Sequence, residues 1–228
     1  MAELVVALDF DDALDALNMA TVLRGQISWV KVGLELFTME GPRMLHSLKG
    51  LGYRVFLDLK LHDIPNTVSR ATLACAKGGA DLITVHLMGG EHMCRAALDA
   101  LRTAPSRPLV FGVTVLTSLA EGELPGCQQS LPDLTRTLAD HAEHWGLDGV
   151  VCSGRECAAI KAQHPDLRCL TPGIRMDYDG ADDQKRVMTP AQAVASGSDF
   201  LVVGRPITRA ADPVAAAAAI LADMNAPF

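Results

Sequence analysis

Residues 54–67 read RVFLDLKLHDIPNT. Val55, Phe56 and Leu57 form a short apolar run that ends in charge. A strand's period of two puts Asp58 and Lys60 on one face and Leu57 and Leu59 on the other, so the two charges can pair. Asp63 follows beyond the strand end, and Ile64-Pro65 turns the chain into a helix. A strand that is apolar on both faces until its last residues and then turns ionisable suits a parallel sheet buried on both sides.

The same pattern recurs in both directions along the chain. Eight apolar or β-branched runs alternate with helical segments: LVVAL (4–8), SWVKVG (28–33), RVFLDLK (54–60), DLITVH (81–86), PLVFGVTV (108–115), GVVCS (149–153), RCLTPG (168–173) and DFLVVG (199–204). Segments between them, such as ALDALNMATVLRG, TVSRATLACAKGG and LTRTLADHAEHWG, carry apolar residues at three- and four-residue spacing and end near glycine, as amphipathic helices do. An alanine-rich helix is expected over 211–224, packed on the outside. Alternation of this kind builds a parallel sheet from βα units, either closed or open.

The ionisable residues choose between the two. Asp9, Lys31, Asp58, Lys60, His86, Arg175 and Arg205 all fall at or just past the C-terminal ends of the runs. A barrel gathers those ends into one ring around one mouth, whereas an open flavodoxin-like sheet scatters them along an edge and needs fewer strands. The expected fold is therefore an α/β (β/α)8 TIM barrel, a single domain over 1–228.

Composition agrees with this and narrows the function. A chain of 228 residues, 49% hydrophobic, can bury one sizeable core. The formal net charge of -7 and the lack of any Lys/Arg run speak against a nucleic-acid surface, so an anionic ligand must be met by a few placed cations. Six cysteines without CxxC spacing read as buried, reduced thiols. Acidic Glu3 stands where a leader would be positive, and no apolar stretch approaches membrane-spanning length, so no membrane association and a cytoplasmic location are expected. Seven histidines form no HxxxH pair or compact cluster, so no metal site is expected, and His62 and His86 read as structural.

Within the expected barrel, Lys31 in VKVG ends the strand beside the one bearing Asp58 and Lys60. Charges this dense cost desolvation energy, which proteins accept where function needs a fixed field. A lysine kept protonated by flanking carboxylates can deliver a proton to a developing carbanion. After the last strand come Gly204, Arg205 and Pro206, where close backbone approach and helix amides suit a phosphate, and loops after strands seven and eight are the habitual phosphate site of this barrel. Arg175 and Gln184 can reach the same oxygens. Two loops are long, 118–132 and 176–189, and the second, rich in Asp and Gly, reads as a lid.

VALDF, VKVG, FLDLKLHDIPNT, VTVLTS, GVVCS, TPGIR and VVGRP, in this order over nearly the whole chain, resemble the orotidine 5'-phosphate decarboxylase family of the bacterial type. The resemblance implies decarboxylation of orotidine 5'-phosphate to uridine 5'-phosphate, the last step of de novo UMP biosynthesis. It implies Lys60 as proton donor to C6 within a network of Lys31, Asp58, Lys60 and Asp63. Asp9 and Lys31 would hold the ribose, Thr117 the pyrimidine, and Arg175, Gln184, Gly204 and Arg205 the phosphate. It further implies a homodimer whose Asp63 and Thr67 complete the partner's site, with no metal or organic cofactor. The alternative is the related magnesium-dependent branch, 3-keto-L-gulonate 6-phosphate decarboxylase or hexulose-phosphate synthase, against which DIPNT, TPGIR and the long loop stand. A non-catalytic phosphate-binding barrel is a further alternative, and it has no use for the Lys31, Asp58, Lys60 and Asp63 set.

Overall fold

The structure, a computed structural model, describes residues 2–104, 106–176 and 187–226. Eight parallel strands, β1 (Glu3–Ala7), β2 (Trp29–Val32), β3 (Arg54–Leu61), β4 (Leu82–His86), β5 (Leu109–Val113), β6 (Gly149–Val151), β7 (Arg168–Thr171) and β8 (Phe200–Val203), close into a barrel in chain order. β8 pairs back onto β1 through Leu4 with Leu201 and Val6 with Val203. Each run read from the sequence is a strand. The differences lie at the ends: Cys152-Ser153 and Pro172-Gly173 have already left β6 and β7, because the chain turns there toward the barrel mouth.

Helices between the strands start and stop for local reasons. The helix Leu131–Trp145 opens on Ser130, whose hydroxyl accepts from the Asp133 N–H, and closes on Gly146 at φ 88°, a left-handed position that favours glycine. Capping boxes, Ser153 with Glu156 and Thr189 with Gln192, open the helices Gly154–Gln163 and Pro190–Ala195. The terminal alanine-rich helix runs Pro213–Met224, starting after Asp212, whose carboxylate caps it.

Strand pleating divides the core into an outer and an inner part. Outward-facing residues pack beneath the helices in two large clusters, one with Val6, Val30, Leu57 and Leu201, the other with Val85, Val110, Val150 and Cys169. Inward-facing Val5, Trp29, Phe56, Leu82, Phe111, Leu170 and Phe200 fill the barrel, with Phe200 edge-on to both Trp29 and Phe111 at 5.5 and 5.7 Å. Two residues further along the same strands, the next inward positions change character: Trp29 is followed by Lys31, Phe56 by Asp58 and Leu82 by Thr84. The barrel thus has an apolar plug with a polar layer directly above it, at the C-terminal mouth.

Candidate active site

The polar layer forms the floor of a cavity of about 710 Å³, within the size range of small-molecule sites. Asp9, Lys31, Asp58, Lys60, Thr117, Arg175, Gly204 and Arg205, all singled out from the sequence, line it. They come from the ends of β1, β2, β3, β5, β7 and β8, the ring that barrel closure creates.

The centre of the site is a chain of alternating charge. Lys31 Nζ lies 2.7 Å from Asp9 Oδ1 and 3.9 Å from Asp58 Oδ2. Lys60 Nζ donates to the same Asp58 Oδ2 at 2.9 Å. The other Asp58 oxygen accepts from the Thr84 hydroxyl at 2.9 Å, and Thr84 Oγ1 in turn accepts the Lys60 backbone N–H at 2.9 Å. Asp58 is thereby fixed from both sides, with its side chain only 13% exposed and that of Lys31 11%. Burial of charge is costly unless it is paired and hydrogen-bonded, and here Asp58 is paired with Lys60 and hydrogen-bonded by Thr84.

Lys60 is held in an unusual backbone state. Its φ is 50°, the one positive φ among the described residues other than glycine, and the β3–β4 register shifts between Leu57 and Leu61. The simple period of two therefore breaks at this residue, and a local bulge aims Lys60 at Asp58. A non-glycine residue in the left-handed region costs on the order of 1–2 kcal/mol, and strain of this kind clusters at functional sites.

Gly33 supports the same cluster. A Cβ there would stand 3.0 Å from both Asp9 Oδ1 and Lys31 Nζ, close enough that the ion pair would have to give by a few tenths of an ångström. From the sequence, VKVG drew attention through Lys31, and Gly33 was not singled out. Thr84 and Arg209, which also lines the cavity, were not singled out at all. A threonine inside a buried strand looks like any β-former, and only the barrel's closure shows what its hydroxyl meets.

The phosphate-side expectation falls on three elements. Gly204 caps the short helix Arg205–Thr208, and Arg205, Thr208 and Arg209 line the cavity together with Arg175. Arg175 is 8% exposed and donates to the Ile174 carbonyl at 2.8 Å. The long loop after β7 is pinned at its base, where Ile174 bridges Met188 and the Arg175 N–H donates to the Met188 carbonyl at 3.0 Å. Gln184 and most of that loop lie outside the described residues.

Asp63 and Thr67 stand apart from the cavity of their own chain. Both are exposed, and Asp63 Oδ1 accepts the Ile64 N–H at 2.7 Å. Ile64 and Met88 are exposed nearby at 66% and 48%. His62 and His86 stack with ring centroids 5.2 Å apart, and burial, followed by the neighbouring His62 and Lys60, pushes the His86 pKa down, which keeps it neutral at pH 7. Of the carboxylates lining the cavity, Asp9 and Asp58 are engaged by the ammonium groups of Lys31 and Lys60. The group of three side chains within metal-ligand reach among the described residues is elsewhere: Cys152, Cys157 and Cys169, behind the barrel wall.

A closed (β/α)8 barrel with a charged cavity at the C-terminal mouth of its strands has the build of a barrel enzyme. The model of the orotidine 5'-phosphate decarboxylase / HUMPS family matches residues 2–220, and the chain belongs to that family. Among its relatives is the orotidine 5'-phosphate decarboxylase of Nitratidesulfovibrio vulgaris strain DP4, 57% identical over 99% of both chains. That of Lawsonia intracellularis is 53% identical over 94% of this chain and 95% of its own. The crystal structure of orotidine 5'-phosphate decarboxylase from Lactobacillus acidophilus superposes with a TM-score of 0.88 at 37% identity, covering 99% of this chain and all of that one.

Proposed function

We propose that this chain decarboxylates orotidine 5'-phosphate to uridine 5'-phosphate and carbon dioxide, the last step of de novo UMP synthesis, with Lys60 as the proton donor. The observation that carries this reading is the Asp58 carboxylate held by Lys60 at 2.9 Å and flanked by Lys31 at 3.9 Å, across the barrel mouth from Arg175 and Arg205. The relatives named above bear the name of this activity.

The chemistry follows from that array. The C6–carboxylate bond of the pyrimidine breaks with its electron pair left on C6, and carbon dioxide departs. The Lys60 ammonium faces the growing negative charge, stabilises it, and transfers a proton to C6; solvent then reprotonates the amine. Asp58 positions the Lys60 ammonium through their 2.9 Å hydrogen bond, and its own charge disfavours a substrate carboxylate in the ground state. Interactions made with the carbanion, rather than with bound substrate, account for most of the acceleration. Asp9 and Lys31 hold the ribose hydroxyls, Thr117 the pyrimidine, and Arg175, Gln184, Gly204 and Arg205 the phosphate. No metal or organic cofactor enters the reaction. A divalent ion at Asp58 would face two ammonium groups already there, which disfavours the magnesium-dependent alternative.

The assembly proposed is a homodimer in which Asp63 and Thr67 complete the partner's site. Their exposure beside Ile64 and Met88, which leaves apolar surface around a carboxylate outside its own cavity, supports this. The proposed location is the cytoplasm; no helix among the described residues is long and apolar enough to cross a membrane.

Lys60→Ala tests the assignment. Turnover should fall by roughly 10²–10⁴-fold or more, the usual worth of a positioned general acid, while binding of uridine 5'-phosphate is retained. A variant with normal turnover removes Lys60 from the mechanism.

A further inference from the structure

Three cysteines far apart in type of element meet behind the barrel wall. Cys152 follows β6, Cys157 lies in the first turns of the helix Gly154–Gln163, and Cys169 is on β7. Their sulfurs all lie within 4.8 Å of one another, and all three residues are 0% exposed. Cys152 Sγ and Cys157 Sγ are 3.6 Å apart, and the Thr171 hydroxyl is 3.3 Å from Cys157 Sγ. Thr171 Oγ1 is in turn 2.7 Å from the Ser198 hydroxyl, which also lies 3.1 Å from the Phe200 carbonyl. When Ser198 donates to that carbonyl, Thr171 donates to Ser198 and turns its lone pairs toward the sulfurs.

We propose that Cys152, Cys157 and Cys169, with Thr171 at the fourth corner, form a binding site for a thiophilic divalent ion of the zinc class, separate from the substrate cavity. Bond lengths near 2.3 Å to sulfur and about 2.1 Å to oxygen give a tetrahedron with edges of about 3.8 Å between sulfurs and about 3.6 Å from sulfur to oxygen. The observed 3.6 and 3.3 Å separations need only small adjustments to reach those edges. The three sulfurs are also the donors that soft, thiolate-preferring ions select. Binding releases the thiol protons, leaving three thiolates on the ion.

The site has a mechanical connection to the cavity. Val151 and Leu170, which line the cavity, immediately adjoin Cys152 and Cys169 in the chain and point to the opposite side of the wall. An ion here would tie β6, β7 and the helix Gly154–Gln163 together directly beneath that lining. It would act on stability and not on the reacting atoms.

Cadmium is the probe, because its thiolate complexes absorb in the ultraviolet. Reduced, metal-free protein is titrated with cadmium, both as the folded chain and during refolding, with zinc as competitor. The expected result is one equivalent per chain with a thiolate charge-transfer band, displaced by zinc, and raised thermal stability. Cys157→Ser and Cys169→Ser should weaken binding by more than the roughly 10–100-fold typical of losing an outer partner, whereas Cys94→Ser should not. In the unaltered protein, cadmium should protect these three cysteines, mapped by mass spectrometry, from alkylation on unfolding intermediates. No charge-transfer band under either loading condition, or a band undiminished in folded Cys157→Ser protein, overturns the proposal. Protection of other cysteines in place of these three overturns it as well.

Discussion

At the scale of single residues, the site depends on positions that would look ordinary out of context. Asp58 and Lys60 were legible as a same-face pair from the alternation in RVFLDLK, and they do pair, at 2.9 Å. What the alternation could not show is the bulge that makes the pairing work: Lys60 has φ 50°, a conformation with no sequence signature in a lysine. Gly33 is the complementary case, a glycine that matters for space and not for its backbone freedom, since its φ of -91° and ψ of -175° are open to any residue. Gly33→Ala therefore isolates the steric effect. Its Cβ, 3.0 Å from Asp9 Oδ1 and Lys31 Nζ, should spread that ion pair. Weakening of a charge-assisted hydrogen bond worth about 1.5–3 kcal/mol predicts a fall in kcat/KM of at most roughly 10–100-fold, with little change in melting temperature. Unchanged kinetics would show that the Asp9–Lys31 contact has no part in turnover.

At the scale of elements, strand identity was readable because burial on both faces demands continuous apolar runs, and helix ends because caps are local. The neighbourhood of Lys31 and Asp58 on adjacent strands was readable, but the contacts that helices make with strands and with one another were not. The three cysteines at 152, 157 and 169 carry no motif spacing, and only the packing of a helix on two neighbouring strands brings them together. Another such contact joins the helices Leu131–Trp145 and Gly154–Gln163. His164, at the end of the second, has its ring nitrogens 2.5 Å from Asp140 and from Glu143 of the first. Burial acts to lower the His164 pKa, but the hydrogen bonds and charges of Asp140 and Glu143 outweigh it, and the pKa is raised. The sign follows by linkage: the folded state binds the proton more tightly, so this contribution is complete below the unfolded histidine pKa near 6.5 and is lost as pH rises through the higher folded value. Denaturant titrations of the protein and of His164→Gln should diverge at acidic pH and converge as pH rises above the folded pKa. A gap that stays constant with pH would contradict a protonated His164 at this contact.

For the whole molecule, closure of the barrel is what converts scattered motifs into a site. The sequence could indicate closure because the ionisable residues it singled out fall at the C-terminal ends of the strands, and the closed order β1 to β8 gathers Asp9, Lys31, Asp58, Lys60, Arg175 and Arg205, though not His86, around one cavity. Asp63 also lies outside that cavity, exposed, and only the proposed homodimer would give it a place in the mechanism. Mixing Lys60→Ala with Asp63→Ala protein under subunit exchange should restore activity to about one quarter of the unmutated level, one intact site in each heterodimer of a two-fold assembly. No recovery despite demonstrated exchange would argue for sites complete within one chain. The most direct test of the account is the loss of orotidine 5'-phosphate absorbance when purified protein is added in excess EDTA. Rapid conversion to uridine 5'-phosphate is the predicted result and needs no free divalent metal; folded protein that leaves the nucleotide unchanged would contradict the proposed reaction and direct attention to the magnesium-dependent branch of the family.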